Sequence, residues 1–253
     1  MAIVLWFLAA MSLLVSGIVY EARADIKLAQ AHSARAQATA SGDGAIHLTM
    51  AALMSNNAEQ VEGEKILNAR FVVGRHSVDV ELVPLAGLID LNSASRQTLQ
   101  ALFEVNADLA AGDAQRLADN VVMWRRDRFN SPEDLLRVEG ATRATLDSIR
   151  DSVHAGSAKG GRLDLKAAPE SVLQVVGKQN PDRLASLQEQ KANSGGNANK
   201  LRQTRGNFRA DARVTVGDKV WLRRVWVSTE DASEGSLPWS IGRSEAARVQ
   251  AAG

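Results

Sequence analysis

Hydrophobic and polar positions divide the chain into a rod and a head. From Ala2 to Val19 the run AIVLWFLAAMSLLVSGIV carries no charge. As a helix rising about 1.5 Å per residue it covers most of a ~30 Å hydrocarbon core. Trp6 and Tyr20 sit toward its two ends, where amphipathic rings favour membrane interfaces. A secretory signal peptide also begins with an apolar stretch, so that reading stays open beside a membrane span. Against it, the run is long for a signal core and no Lys or Arg precedes it. From Glu21 to Met54 the chain continues without proline, rich in Ala with scattered Arg, Lys and Gln, which predicts a continuing helix. Ile46, Met50, Leu53 and Met54 recur on one helical face, suited to packing on a head. Gly42 and Gly44 predict a bend or break, since each costs about 1 kcal/mol against Ala inside a helix.

Past the rod the period shortens. Ile66 to Val73 and Ser77 to Leu85 are rich in β-branched residues around a Gly74-Arg75-His76 turn; Phe208 to Val216 and Val220 to Thr229 flank Gly217-Asp218. Two isolated hairpins are marginal, so they are expected to share one sheet, with the helical stretch between them inserted as a second lobe. The expected division is 1–20 and 21–57 for the two halves of the rod, 64–86 for the first hairpin and 87–187 for the helical insert. A flexible linker at 188–206, the second hairpin at 207–229 and a loose tail at 230–253 complete it. The fold class is α+β.

The insert repeats itself. GLIDLNSASRQTLQALF from Gly87 matches GRLDLKAAPESVLQVVG from Gly161, pairing Asp90 with Asp164, Leu91 with Leu165 and Leu99 with Leu173. Each copy predicts an extended opening followed by a helix. Asn92 or Ser93 is expected to cap the first, and Pro169 suits the first turn of the second, which lacks a capping side chain. Between them, Leu117, Val121 and Trp124 share a helical stripe. Ser131, Pro132 and Asp134 then open a short helix that Gly140 ends. Thr142 caps the next, with Leu146, Ile149 and Val153 on one side.

Composition narrows the chemistry. Among 253 residues, 30 Lys and Arg against 29 Asp and Glu leave a net charge of +1, which argues against a general field for nucleic acid or anionic lipid. The absence of cysteine removes disulfides, thiolate ligands and a Cys nucleophile. His32, His47, His76 and His154 show no metal-ligand spacing, and no nucleophile elbow or phosphate loop occurs. Trp124, Trp221 and Trp226 read as packing aromatics. No catalytic residue, cofactor or metal is expected.

The MAIVLWFLAAMSLLV start, the Ala-rich helix, the paired LIDLNSAS and LDLKAAP openings and the flanking hairpins together resemble the K-type minor pseudopilins of bacterial type II secretion systems, across nearly the whole chain. That resemblance implies a pilin-like long helix on an antiparallel sheet, with an inserted all-α domain of SAM-like or helix-hairpin-helix-like type. It implies a non-catalytic subunit at the tip of a periplasmic pseudopilus, assembled with minor pseudopilins of the I, J and H types. Location in the inner membrane, single-pass with a periplasmic head, follows from the same resemblance. So does a short basic leader ending in Gly ahead of the apolar run, cut by prepilin peptidase. Removal of such a leader would reconcile the positive-inside rule with Arg23, Lys27 and Arg35 lying beyond the span.

Ordinary pilins, the resemblance implies, carry glutamate at the fifth mature position where the K type does not, and here Leu5 stands. Met1, Ile3, Leu5, Trp6, Leu8, Leu13 and Leu14 are therefore the candidate membrane and assembly contacts. Asp90, Leu91, Asn92, Asp164 and Leu165 mark the repeat openings. The resemblance implies calcium in some members, but no dense acidic loop here supplies ligands for it. The rival reading is a membrane-anchored helix-hairpin-helix DNA receptor of the competence type, built on Ser131 to Val153. Thr142 in place of a second glycine, and Glu139 in the VEGAT turn, count against it.

Overall fold

The structure, a computed structural model, describes residues 2–54, 67–156, 163–193, 206–229 and 237–250. Helix α1 runs unbroken over Ala2–Met54, 53 residues and about 80 Å at 1.5 Å per residue. The break expected at Gly42 and Gly44 is absent. A side chain at Gly42 would put its Cβ 2.8 Å from the Cβ of Arg223. The glycine thus admits the sheet to close range, and packing outweighs its low helix propensity.

One antiparallel sheet holds both hairpins: β1 (Leu67–Val73) pairs β2 (His76–Pro84), which pairs β5 (Asn207–Val216), then β6 (Lys219–Ser228) and β7 (Ser240–Ser244). Strand β8 (Arg248–Val249) also pairs β6. The tail expected to be loose therefore contributes two strands between 240 and 249, because the edge of β6 offers unpaired backbone groups that residues there satisfy. Both hairpin turns place glycine first, with φ +62° at Gly74 and +64° at Gly217, the left-handed conformation that tight turns between twisted strands require.

Strand alternation gives the sheet two faces. Val80, Leu82, Ala210, Ala212, Val214, Trp221 and Val225 turn toward α1, where Ala38, Ala45, Ile46, Met50 and Leu53 meet them in a buried core. The stripe expected from Ile46, Met50 and Leu53 is the one that packs. The opposite face is charged.

The insert has its own core. A 3-10 turn at Leu85–Gly87 leads to β3 (Ile89–Asp90), α2 (Arg96–Asn106) and α3 (Ala111–Trp124). Further 3-10 helices at Arg125–Asp127 and Pro132–Arg137, then α4 (Arg143–Ile149), β4 (Val153–His154), α5 (Glu170–Gln179) and α6 (Pro181–Asn193) follow. The stretch 188–193, expected as linker, is the last part of α6; 194–205 lies outside the described residues. The apolar spacing of Leu184 and Leu187 carries the helix onward, and both pack against the insert core. Val153 leaves the expected helical stripe for a two-residue parallel ladder in which Ile89 faces it and Asp90 faces His154.

Candidate assembly helix and the lobe junction

Every described side chain of α1 from Ile3 to Ser33 is exposed, and burial begins at Ala34. About 48 Å of helix, 32 residues at 1.5 Å each, therefore stands clear of the head. Ile3, Trp6 and Leu13 are 84%, 79% and 76% exposed, and Leu14 is exposed beside them. The side chains of Leu5 and Leu8, and Met1 altogether, lie outside the described residues. Among the described residues no helix is long and apolar enough to cross a membrane. Isolated exposed apolar residues are ordinary on a protein surface; a continuous apolar rod is a surface shaped for partners or lipid.

Where α1 reaches the head it is stitched by polar contacts on both flanks. Ser41 Oγ lies 3.0 Å from His76 Nδ1, and Arg75 Nη2 donates to Gln37 Oε1 at 2.9 Å. These line an open cleft of about 360 Å³ between the helix and the β1–β2 turn. On the other flank Arg223 Nε donates to Asp43 Oδ1 at 2.7 Å, and Trp239 Nε1 donates to His47 Nδ1 at 3.2 Å. The Ser41–His76 contact couples a hydroxyl to an imidazole and ties the helix to the turn.

The repeat openings meet each other rather than a ligand. The Asn92 N–H donates to Asp90 Oδ1 at 2.9 Å, and the Lys166 N–H donates to Asp164 Oδ1 at 3.0 Å, so both aspartates brace the residue two positions on. Leu91 and Leu165 are buried in the insert core. The Asp164 N–H donates to the Ala86 carbonyl at 2.8 Å, and a Cβ at Gly87 would fall 2.0 Å from the Ala167 carbonyl oxygen. The expected capping roles of Asn92 and Ser93 fall to Ser95, whose hydroxyl accepts from the Thr98 N–H at 3.1 Å. Asn92 instead pairs its amide with the backbone of Phe129, at 2.8 and 2.9 Å. This holds the loop after α3 against the first opening.

Charges gather at the junction of the lobes. On the far face of the sheet Asp211 of β5 accepts two bonds from Arg224 of β6, at 2.6 and 2.8 Å, and one from Arg209 Nε at 3.1 Å. All three residues are at most 4% exposed. Arg209 Nη1 donates to the Asp151 carbonyl at 2.7 Å, and Arg224 Nη1 lies 2.7 Å from Asp151 Oδ1, so both arginines reach the insert. Beside them Arg150 of the insert meets Glu245 at 3.2 Å, and Arg243 meets Glu133 of the insert at 2.5 Å while stacking over Trp226 at 4.5 Å. Burial opposes the charge on Arg224, but Asp211 and Asp151 outweigh it and raise its pKa above the ordinary guanidinium value. Protein packed around Asp151 opposes its ionisation although the side chain is 60% exposed, and Arg224 and Arg209 overcome this, lowering the Asp151 pKa.

Trp226 is expected as a packing aromatic and Arg150 and Asp151 fall inside the helix-hairpin-helix candidate, but no run of neighbouring residues pairs these charges across the lobes. The signal was there in the hairpin: counting outward from Gly217-Asp218 places Asp211 opposite Arg224, on the face that alternation assigns away from α1. Of the arginines of the helix-hairpin-helix candidate, Arg137 and Arg143 stay exposed and pair only with carboxylates of their own helices, while Arg150 turns inward. Arg143 pairs with Asp147 at 3.0 Å, Arg137 with Asp134 at 3.6 Å, and Arg150 is largely buried against Glu133 and Glu245. The first helix of that candidate is a 3-10 helix and the second spans seven residues, a poor cradle for a phosphate.

No protein-family model matches the chain, and no curated protein matches it. Among solved structures it is similar to a chain of the GspK-GspI-GspJ complex of the type 2 secretion system from enterotoxigenic Escherichia coli. The TM-score is 0.55 at 12% identity, over 88% of this chain and 99% of that one. The likeness shows a shared fold: an α+β, pilin-like arrangement of a long N-terminal helix on an antiparallel sheet, with further helices.

Proposed function

We propose that the chain is a minor pseudopilin of the K type, placed at the tip of a periplasmic type II secretion pseudopilus, supporting export of folded proteins without catalysis of its own. One observation carries the reading: the described large apolar side chains of α1 from Ile3 to Leu28 are exposed, on a fold shared with a chain of the GspK-GspI-GspJ complex. Exposed Ile3, Trp6, Leu13 and Leu14, together with the sequence candidates Met1, Leu5 and Leu8, are assigned to contact with lipid in the monomer and with neighbouring helices after assembly. The burial term, about 25 cal/mol per Å² of apolar area, acts in both settings, so transfer between them needs no refolding. Leu5 brings no carboxylate into the bundle, so no amine from a preceding subunit is required to neutralise it. The I, J and H types are the partners, prepilin peptidase removes a basic leader, and the insert stands as a bulky cap against further growth.

The test is expression of the full chain with candidate pilin-like partners in a bacterium. Retention in alkali-washed inner membranes, and co-purification of those partners, is expected. Recovery of the protein as a soluble head after cleavage by signal peptidase, or its retention by duplex DNA at moderate salt in place of the partners, would overturn the reading.

A further inference from the structure

The insert and the sheet have separate apolar cores, and among the buried core residues of the sheet strands only Val83 belongs to the insert's core. What joins the lobes is chiefly charge. In that junction two consecutive residues of β6 point in opposite directions. Arg223 reaches through the α1 face to Asp43, at 2.7 and 3.3 Å. Arg224 reaches through the far face to Asp211 and then to Asp151 of the insert. Glu245 closes the third side: its carbonyl accepts from Arg223 Nη1, its N–H donates to the Arg224 carbonyl at 2.9 Å, and its carboxylate meets Arg150 of the insert.

We propose that Arg223 and Arg224, with Asp211 and Glu245 on the sheet side and Asp151 and Glu133 on the insert side, form a two-faced clamp that holds the insert at one angle to α1, so that a displacement of the helix is carried through the sheet to the lobe. Apolar contacts tolerate sliding, whereas bidentate guanidinium–carboxylate pairs are directional and fix orientation. Buried pairs often add little net stability over apolar substitutes, and setting one geometry is the role left to them here. The two faces of one strand link Asp43 of α1 to Asp151 of the insert through adjacent residues. The clamp holds whatever surface α1 packs against, so it goes beyond the functional reading above.

Because the chain has no cysteine, Leu48→Cys on α1 and Met123→Cys on α3, both exposed, place two spin labels as its only thiols. Electron–electron dipolar distances in the full chain should show a single narrow peak. Arg224→Gln should abolish it, as should the double variant Asp151→Asn with Glu133→Gln, while circular dichroism reports intact helices. Arg213→Gln, which breaks only a partly exposed pair with Glu81, should leave the peak unchanged. A narrow peak retained in either clamp variant, or a loss of the peak in Arg213→Gln as well, would overturn the proposal. Should Arg224→Gln fail to fold, the double variant decides alone, since Asp151 is 60% exposed at its side chain and tolerates the change.

Discussion

Gly42 and Arg223 touch backbone to side chain: a Cβ on Gly42 would sit 2.8 Å from the Arg223 Cβ, next to the Asp43–Arg223 ion pair. The glycine sets how close the rod lies to the sheet. Gly44, two residues on and about 200° round the helix, would meet only a Val73 methyl at 3.4 Å.

The two glycines should therefore answer alanine with opposite signs. At Gly44 the gain in helix propensity dominates, and Gly44→Ala should raise stability by roughly 0.5–1 kcal/mol. At Gly42 the helix must lift from the sheet, and overpacking of about 1–3 kcal/mol should exceed the same gain, lowering stability. Urea midpoints of the two variants, compared at equal m-value, check the contrast; a stabilised Gly42→Ala would contradict the contact.

Asp211 is the carboxylate on which two buried guanidiniums depend. Asp211→Ala leaves buried Arg209 with the Asp151 carbonyl and buried Arg224 with the more exposed Asp151 carboxylate, and should cost about 3 kcal/mol. Arg143→Ala, which breaks the exposed pair with Asp147, should cost only about 0.3–0.5 kcal/mol. Denaturation of the two variants side by side measures the difference, and equal losses would remove the case for a buried hub.

Gly87 lies where the two repeat openings cross, with no room for a side chain before the Ala167 carbonyl. Gly87→Ala should force the openings apart, break the bond from the Asp164 N–H to Ala86, and destabilise the insert by about 3 kcal/mol. Amide exchange should then rise in α2 and α5 while the sheet stays protected. Uniform exchange across both lobes would show that they do not unfold separately.

His154 is 5% exposed, and its Nδ1 has no hydrogen-bond partner. Burial pushes its imidazole below the usual value, outweighing the pull of Asp90 across the ladder. The unfolded chain thus takes up the proton first. Its contribution is complete above about pH 6.5 and is lost as pH falls toward the lower folded value, at up to about 1.4 kcal/mol per pH unit. Unfolding free energies followed from neutral to mildly acid pH should fall for the parent and flatten for His154→Leu. An unchanged slope in that variant would place the proton uptake elsewhere.

Leu8→Arg brings a charge to the middle of the apolar run, at a cost of about 2.5–3.5 kcal/mol near the centre of a span. The expected result is a folded head released from membranes and from pilin-like partners. Membrane retention and co-purification at parental levels would argue that the rod serves neither.

Much of the architecture was legible in the chain because it is local. Period-3.6 spacing at Ile46, Met50 and Leu53 announced the face of α1 that packs, and Gly74 and Gly217 announced both hairpins through the backbone conformation that tight turns demand. The Asp90 and Asp164 openings were visible as a repeat, since each aspartate braces its own neighbour. Caps were less legible: Ser95 and Asn92 offer similar short polar side chains, and only the position of Phe129 decides that Asn92 turns away from the helix.

The sequence alone determined an oily rod, two paired hairpins and a helical insertion, because periodicity, turn chemistry and apolar run length act between residues close along the chain. The tertiary structure alone decided that α1 passes its glycines unbroken, that residues near the C-terminus add strands, and that Arg223 and Arg224 serve opposite faces. Those outcomes depend on partners far apart in sequence, Asp43 with Arg223 and Asp151 with Arg224, whose approach no local pattern encodes. A charge shows its role only once burial has removed the water that would otherwise screen it.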